Sequence, residues 1–433
     1  KQVVPLIPSP KLKNNLLSKM FGHIYALHQV AKQHKVSLTM GLFYKHLDYY
    51  KEANSDTIKL RFGNSNLILT REKDFYSEIL GSKQEDFVNS TAFKLVFGYF
   101  FPNSVIVVDG DQWQKIRKII TKAMNKTSFE LLTPSIIKSL HYVLDDSDQE
   151  RSSSNNDQKG KILANQMCTI DMISRITFDA FHCLVYEWDP ETLRFNPESS
   201  KILDSCSSIV RSIGERFIYP TPLLWKLPTK KNREYIEANK YLKIFVNNFI
   251  MEQKETLRTH KEEVLNKKQR TLLQEMLLAN EMEEAKEGRL THEELVDQIC
   301  TLFFAGFDTT SSVLSFALNF LSRNPDIQIK LRKDLWEAFP NGEEDIVKGG
   351  VHAVESVSYL KHFIEEIHRI RPLLLLVRDC IRDTEINGYP VKKGDSVIVD
   401  NVGLGVKLDN WNFQSDLDEF KPERWQTFKP QAL

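Results

Sequence analysis

Two hydrophobic patterns alternate in the first part of the chain. Residues 17–34 carry apolar side chains at the three- and four-residue spacing of a helix. Residues 57–70 (TIKLRFGNSNLILT) alternate apolar and polar positions on both sides of a Gly-Asn-Ser sequence, which predicts a β-hairpin. Residues 71–82 return to helical spacing, and Gly81 marks the predicted end of that helix.

The pattern from 115 to 330 is mainly helical, and its longest predicted helix has sharp ends. Thr291 and Glu294 have the spacing of a capping box, which starts a helix by satisfying free backbone N–H groups. Asn324 followed by Pro325 predicts the end of the same helix.

Two more helices are predicted at 325–339 and 356–370, and then short strands around an Asn-Gly turn at Asn387 and Gly388. Strand patterns are few and no repeat is visible, so the sequence predicts a mainly α fold with a small β side domain. The predicted organisation is one domain over 1–433, with a β-rich part in 1–110 and a helical part in 111–433 that contains a short β segment near 384–400.

Two segments depart from this pattern. Residues 145–161 have the composition of a disordered surface loop, for which a tolerated insertion without function is the favoured interpretation. Residues 217–234 combine three prolines with large apolar side chains, among them Tyr219, Leu223 and Trp225. This segment either caps the core or dips into a membrane surface, and the two alternatives are equally supported.

Composition narrows the possible functions. The 58 basic and 58 acidic side chains cancel, which removes a global electrostatic argument for nucleic acid binding. The five cysteines are scattered, odd in number and without a CxxC pair, which argues against a disulfide framework and against a thiolate zinc site. We expect buried or incidental thiols at Cys168, Cys183, Cys206, Cys300 and Cys380.

The longest apolar stretch, residues 299–321, is long enough to span a bilayer. Asp308 and the four hydroxyl residues after it would then lie near the midplane, where a charge is unfavourable. A buried central helix is therefore the better interpretation.

The sequence AGFDTT, residues 305–310, lies in the middle of this helix and breaks several helix rules at once. Gly306 costs roughly 1 kcal/mol relative to alanine, and Asp308 interrupts an apolar face. One interpretation is a kinked helix whose threonine hydroxyls bond back to its own carbonyls. In the other, the glycine lets a flat ligand or a small molecule approach the backbone, and Thr309 with Asp308 passes protons to it.

AGFDTT resembles the oxygen-activating motif of helix I in the cytochrome P-450 superfamily, the haem-thiolate monooxygenases. EIHRIRP places Glu366 and Arg369 as the family's ExxR helix does, and FKPERW resembles its PERF segment with Arg424. The resemblance implies that these three side chains form a buried triad with a structural role.

A further motif, DGDQWQKIRK, resembles the family's helix C, where Trp113 and Arg117 correspond to residues that contact a haem propionate. An indole N–H and a guanidinium are suitable partners for such a carboxylate. Arg378 matches another propionate-binding position of many members. For each arginine, an ordinary surface residue is the alternative.

The resemblance implies the cytochrome P-450 fold and a monooxygenase that inserts one oxygen atom from O2 into an apolar substrate such as a lipid, sterol, terpene or xenobiotic. Its cofactor would be haem (heme, iron protoporphyrin), with electrons from NADPH through a flavoprotein reductase. Asp308 and Thr309 would be catalytic, and Ala305 and Gly306 would border the haem. Side chains from segments that flank the pocket in the family would bind substrate, with core packing as the alternative for each: Phe93, Phe97, Phe303, Phe304, Leu374 and Leu375.

The resemblance also suggests partners and a location. Lys115, Lys118 and Lys122 share the helix of Trp113 and would present a basic face to an acidic flavoprotein, or a solvated face without a partner. The proline-rich start at 5–10 resembles the hinge after the membrane anchor of microsomal members. We expect an endoplasmic reticulum membrane protein on the cytoplasmic face, with its anchor outside this sequence.

Two departures from the family pattern stand out. The family's iron-binding cysteine follows the PERF segment shortly, but no cysteine follows Arg424 here, so the sequence offers no metal ligand. We expect the domain to be incomplete at its carboxyl end. In addition, 406–409 (VKLD) replaces a His-Arg-Asp-Pro-like run, which puts any haem-side contact from that segment in doubt.

Two other functions remain open. One is a reductase-independent isomerase or dehydratase of the same fold, which ranks lower because such relatives tend to alter the threonine kept here as Thr309. The other is a non-catalytic or haem-poor ligand-binding relative.

Overall fold

The computed structural model describes residues 9, 48–62, 65–144, 168–218, 222–283, 288–373, 376–407, 417 and 419–427. Several sequence predictions lie outside these residues: the helix at 17–34, the proline-rich start, the polar segment 145–161, Tyr219, Leu374, Leu375, Leu408 and Asp409.

Most of the described chain is helical, as the three- to four-residue spacing of apolar side chains predicts. Residues 48–53 are helical. The first half then contains α1 (Lys73–Leu80), α2 (Thr91–Gly98), α3 (Gly110–Met124), α4 (Thr133–Leu144), α5 (Thr169–Tyr186) and α6 (Pro197–Ile218). The second half contains α7 (Pro222–Trp225), α8 (Lys230–Thr259), α9 (Lys261–Asn266), α10 (Leu272–Glu281), α11 (His292–Arg323), α12 (Pro325–Ala338), α13 (Glu343–Glu355), α14 (Ser358–Ile370), α15 (Asn401–Val406) and α16 (Arg424–Thr427).

The strands are short and come from both ends of the chain: β1 (Thr57–Phe62), β2 (Ser65–Thr70), β3 (Phe87–Asn89), β4 (Leu376–Cys380), β5 (Thr384–Ile386), β6 (Tyr389–Val391) and β7 (Ser396–Val399). One sheet has the order β1-β2-β7-β4-β3, and β5 with β6 forms a separate hairpin. Strand β2 pairs in parallel with β7, with Leu67 opposite Ser396. The two β-containing regions of the sequence thus form one sheet, a pairing that the local pattern does not predict.

The chain divides into two compact units. The first combines the described parts of 1–96, 215–220 and 362–433 and holds both sheets. Its apolar core includes Ile68, Phe75 and Val397, which bring β2, α1 and β7 together. The second unit combines the described parts of 97–214 and 221–361 and holds most of the helices.

The predicted element ends agree well with the structure. The hairpin at 57–70 is present as β1 and β2. Asn387 and Gly388 both have positive φ (47° and 77°) between β5 and β6, as the Asn-Gly turn predicts. Thr291 and Glu294 form the capping box of α11, and Asn324 follows its last residue. Helix α13 was not predicted.

Helix α11 passes a length and composition test for a membrane span. In the second unit it instead packs extensively against α5 and also against α8 and α12. The side chains of Phe303 and Phe307 on this helix are buried. The first half of α11 is therefore a core helix as predicted, whereas residues 312–323 are half-buried or exposed.

A buried acid lies on α5, the main packing partner of α11. Asp179 is only 1% exposed, and its Oδ2 accepts a hydrogen bond of 2.9 Å from the Thr192 amide. Its Oδ1 has no hydrogen-bond partner among the described residues. Burial raises the pKa of Asp179 to about 8. Hydrogen bonding from Thr192 opposes this rise, the nearby carboxylate of Asp189 adds to it, and Arg175 opposes it weakly.

We expect Asp179 to make the protein less stable as the pH rises from about 4 to about 8. The folded state keeps a proton that the unfolded state releases near pH 4, so this stabilising contribution is present at low pH and is lost as the pH rises through the folded pKa. One such group changes the free energy of unfolding by at most about 1.4 kcal/mol per pH unit. Urea unfolding at pH 5 and pH 8 should show a smaller pH effect in Asp179→Asn, whereas Asp171→Asn, which removes an exposed carboxyl of the same helix, should behave as wild type. Equal pH effects in all three proteins would contradict the prediction.

Candidate active site

The AGFDTT sequence is continuous helix in the middle of α11. Ala305 and Thr310 are exposed, whereas Asp308 and Thr309 are half-buried. The Thr309 hydroxyl donates a hydrogen bond of 2.5 Å to the Ala305 carbonyl, and Thr310 donates one of 2.6 Å to the Gly306 carbonyl. The hydroxyls are thus bonded to their own helix, but each hydroxyl oxygen can still accept a hydrogen bond.

Asp308 differs from the threonines, because no described side chain is a hydrogen-bond or ion-pair partner for its carboxyl. Within the described chain its carboxyl makes no hydrogen bond or ion pair, although its backbone carbonyl accepts one of 2.9 Å from the Ser311 hydroxyl. Burial raises the pKa of the Asp308 carboxyl. A lone, half-buried carboxyl beside an exposed alanine has the features of a proton donor or acceptor.

The structure explains Gly306 by packing. A β-carbon at this position would overlap ring atoms of Phe181, which belongs to α5. The sequence interpretation, in which the glycine lets a ligand approach, does not apply to this side of the helix. Phe181 was not identified from the sequence, since nothing in the pattern links it to α11.

Trp113 and Arg117 lie one turn apart on α3, in the same unit as α11. Trp113 is half-buried and Arg117 is exposed. Among the described residues, the Arg117 guanidinium makes no hydrogen bond or ion pair. A guanidinium and an indole held on one helix face, without a partner for the positive charge, fit an anionic group such as a carboxylate.

The lysines of α3 do not form an unopposed basic face. Lys115 bonds Glu294 at 2.8 Å, at the start of α11. Lys118 and Lys122 bond Glu283 at 2.7 and 2.5 Å. These ion pairs fasten α3 to neighbouring elements. Lys118 and Lys122 share a single glutamate and remain 58% and 43% exposed, so a basic face for a flavoprotein stays a prediction, with a solvated face as its alternative.

Segment 103–105 is tied to the first half of α11 by polar side chains that sequence reasoning missed. Asp297, only 2% exposed, accepts hydrogen bonds of 3.0 Å from the backbone and side-chain amides of Asn103, and an ion pair of 2.8 Å from Lys243 on α8. Gln298 accepts from Val105 N at 2.8 Å and donates to Asn103 O at 2.6 Å. Polar residues inside an apolar helical stretch were the available signal.

The aromatic side chains expected to bind substrate differ in how deeply they are buried. Phe303 is fully buried among side chains of α5, at 4.1 Å between ring centroids from His182, so core packing accounts for it. Phe304 is 8% exposed and packs at 5.2 Å against Phe101. Phe93 and Phe97 are half-buried on α2.

In the first unit, Glu366, Arg369 and Arg424 come together as a buried cluster. Glu366 is fully buried and accepts two hydrogen bonds from Arg369, at 2.8 and 2.9 Å, and one from Arg424 at 2.9 Å. Trp425 Nε1 and the Lys421 amide also donate to it, at 2.9 and 2.8 Å. Burial acts to raise the pKa of Glu366, but these donors outweigh it and lower the pKa below its ordinary value.

The remaining donors of Arg369 reach backbone carbonyls. Its Nη1 donates to Gly405 O and to Leu417 O, both at 2.8 Å. Gly405, which directly precedes the departing run 406–409, therefore contributes a contact to this cluster. Arg378 lies on β4 of the same unit, half-buried, with a hydrogen bond of 3.1 Å to the Val377 carbonyl.

Four of the five cysteines have raised pKa values, and Cys168 is exposed. Cys206, Cys300 and Cys380 are buried, and burial raises the pKa of each. Burial also raises the pKa of Cys183 to about 11. A thiol with a raised pKa is a poor metal ligand, since the thiolate is the binding form. The described residues hold no group of His, Cys, Asp or Glu side chains that fits a metal ion.

A family model described as Cytochrome P-450 matches residues 25–430. This chain belongs to the cytochrome P-450 family. The crystal structure of the cytochrome P-450DA heme domain superposes with a TM-score of 0.73, over 98% of this chain and 83% of that chain, at 18% identity. This likeness confirms the predicted cytochrome P-450 fold, mainly α with a small β part.

Curated relatives match over shorter stretches. Human cytochrome P-450 3A5 is 35% identical over 170 residues, which cover 38% of this chain and 32% of that protein. Rat cytochrome P-450 4V2 is 28% identical over 47% of this chain and 38% of its own length. Cytochrome P-450 94A1 of Vicia sativa is 24% identical over 83% of this chain and 65% of its own length. The chain thus covers less than two thirds of each of these relatives.

We expect Glu366→Gln to reduce the free energy of unfolding by roughly 3–5 kcal/mol, because two buried guanidinium groups would lose their shared carboxylate. Glu365→Gln is the matched control, since Glu365 neighbours Glu366 on α14 but is only half-buried. Urea denaturation followed by circular dichroism measures both. A loss of less than about 1 kcal/mol in Glu366→Gln, within the range of surface substitutions, would show that the cluster does not stabilise the fold.

Proposed function

We propose that this cytochrome P-450 is a haem-dependent monooxygenase. It transfers one oxygen atom of O2 to an apolar organic substrate, such as a lipid, sterol, terpene or xenobiotic, and reduces the other atom to water. The two electrons come from NADPH through a flavoprotein reductase, and two protons complete the balance.

The observation that carries this proposal is the half-buried Asp308 carboxyl in the middle of α11. Helix design gives no reason for an acid at this position, and no partner within the described chain compensates its burial. Its raised pKa keeps the carboxyl protonated at a higher pH than an exposed aspartate. A group that holds and releases protons next to an exposed stretch of helix fits a reaction that consumes protons.

The residues present fit haem on its distal and propionate sides. Trp113 and Arg117 would bind a propionate, because the Arg117 guanidinium is exposed and lacks a partner among the described residues. In the same unit, the exposed Ala305 with the backbone of Gly306 would border the ring. Arg378 matches a further propionate-binding position of many family members. Burial raises the pKa of Cys183, Cys206, Cys300 and Cys380, and no cysteine follows Arg424, so we assign no iron ligand within residues 1–433.

When bound, the haem supplies the iron chemistry that reduces and cleaves dioxygen. The polypeptide manages protons and excludes water. Thr309 donates to the Ala305 carbonyl, which leaves its hydroxyl oxygen free to accept a hydrogen bond from a proton source. Asp308, next in the chain, would exchange protons with solvent and supply them to the site.

The first test is an absorbance spectrum of the reduced protein, expressed from its full gene, with carbon monoxide. The red-shifted band of a thiolate-bound haem supports the monooxygenase. Its absence in a folded protein contradicts the proposal and favours a ligand-binding relative. Turnover of a hydroperoxide without NADPH or reductase would favour the isomerase or dehydratase alternative instead.

In the same preparation, Thr309→Ala should lower the product formed per NADPH consumed by about tenfold, because proton delivery is lost while electrons still arrive. Thr310→Ala is the matched control, since this neighbouring hydroxyl makes the same back-bond to its own helix but is exposed. An unchanged ratio in Thr309→Ala, with a normal carbon monoxide spectrum, would rule out the role of Thr309.

We also propose that the protein works at the endoplasmic reticulum membrane, on its cytoplasmic face. Support comes from 222–231, where Leu223 is 74% exposed, Leu224 48% and Leu227 46%, next to exposed lysines. Trp225 in the same segment is buried against Tyr99, at 5.8 Å between ring centroids. The segment thus uses one side chain to cap the core and presents the others outward, as a membrane-contacting loop does.

We expect phospholipid vesicles to slow amide hydrogen exchange at 222–228 by about tenfold in the wild-type protein. The double variant Leu223→Ser/Leu224→Ser should lose most of this protection, because the apolar contact with the bilayer is removed. Ile329→Ser, at a 62% exposed position of α12, should keep it. If vesicles leave exchange at 222–228 unchanged in the wild type, this segment does not contact membranes.

A further inference from the structure

The contact between Phe181 and Gly306 joins α5 to the turn that carries the proposed proton-handling residues. A β-carbon on Gly306 would overlap three atoms of the Phe181 ring. The ring therefore lies directly on the backbone of α11 at this point. Such close approach is possible only because residue 306 has no side chain.

The Phe181 ring is half-buried and is supported by the aromatic core of the second unit. It packs edge-to-face on Phe303 at 5.7 Å between ring centroids, with an interplanar angle of 76°. Phe303 is fully buried and is itself packed against Phe178, His182 and Tyr186, at 6.1, 4.1 and 5.5 Å. A shift of the ring toward Phe303 would require this cluster to repack, and interiors packed at crystal density resist such shifts.

The turn under the ring is the one whose carbonyls accept the threonine hydroxyls. Gly306 O accepts from Thr310, and the adjacent Ala305 O accepts from Thr309. At 3.6 residues per turn, Thr309 lies about 60° around the helix axis from Gly306. A displacement or rotation of α11 at Gly306 is therefore passed to Thr309 and Asp308 within a single helical turn.

We infer that Phe181 is a positioning residue for Asp308 and Thr309. Its ring, supported by Phe303, fixes the distance of the turn 305–310 from α5 and the rotation of this turn about the axis of α11. Gly306 provides the space that the ring occupies. This inference rests on the proposed monooxygenase function. Phe181 is not assigned any contact with substrate or haem.

The experiment compares Phe181→Leu with Phe178→Leu in the full-length, haem-loaded protein with its reductase. Phe178 is the matched control, because it lies on the same helix and packs against Phe303 and Phe307 but is not the ring that meets Gly306. We expect Phe181→Leu to lower product per NADPH about threefold or more, with the balance appearing as hydrogen peroxide, since small misplacements of reacting groups are costly. Phe178→Leu should lose at least as much thermal stability but keep the wild-type ratio of product to NADPH. Phe181→Tyr, which retains the ring, should also keep the wild-type ratio.

A size exchange provides a readout that does not depend on turnover. Gly306→Ala should lower the unfolding temperature, because the added methyl group meets the ring. The double variant Gly306→Ala/Phe181→Ala should lose less unfolding temperature than the sum of the losses in the two single variants. The reason is that removing the ring makes space for the added methyl group. Additive losses, or a Gly306→Ala variant as stable as wild type, would overturn the contact and the inference with it.

The failures of the two proposals are distinguishable. If the wild-type protein lacks the thiolate spectrum and forms no product, the proposed function is wrong, and the inference falls with it. If the wild type is active but Phe181→Leu and Phe178→Leu give the same ratio of product to NADPH, only the inference is overturned.

Discussion

A helix whose first half is buried must satisfy the polar side chains it carries there, and α11 is built around this requirement. Over its first half, neighbouring elements provide the partners: Asp297 bonds Asn103 and Lys243, and Gln298 bonds the backbone of segment 103–105. Each buried polar group thereby becomes a tether to another element of the second unit. Over its middle the helix meets the requirement differently, because the hydroxyl of Thr309 bonds its own backbone. Asp308 has neither kind of partner within the described chain, and burial without compensation makes a carboxyl easier to protonate.

In the first unit, a buried polar side chain is satisfied by oppositely charged groups. Glu366 is fully buried and would be strongly unfavourable alone, but two guanidinium groups, an indole and a backbone amide surround it. One carboxylate and two arginines leave an excess positive charge, and backbone carbonyls such as Gly405 O and Leu417 O take up the remaining donors. Because so many partners converge, removing the carboxylate would leave several of them unsatisfied at once.

The Glu366 cluster and the polar residues of the second unit that are unpaired within the described chain therefore differ, and the difference separates structural from chemical roles. The partners of Glu366 account for its charge within the protein, so its role is to hold α14 to the following segments. Arg117 and Asp308 lack such partners in the described part of the chain, and they are the residues proposed to meet a propionate and to move protons. The lysines of α3 are paired as well: Lys115 with Glu294, and Lys118 and Lys122 with the single carboxylate of Glu283.

Periodicity, capping residues and the Asn-Gly turn determined the helices, the two hairpins and the ends of α11, because these depend on interactions between residues close in the chain. The ordered motifs determined the family, and they identified Glu366, Arg369 and Arg424 before their contacts were visible. Only the tertiary structure decided what lies opposite each residue. It joined β2 to β7 across more than three hundred residues, placed Phe303 in the core and filled the gap at Gly306 with Phe181. Such contacts depend on how helices and strands distant in sequence pack together, and no local pattern encodes which side chain will fill a given space.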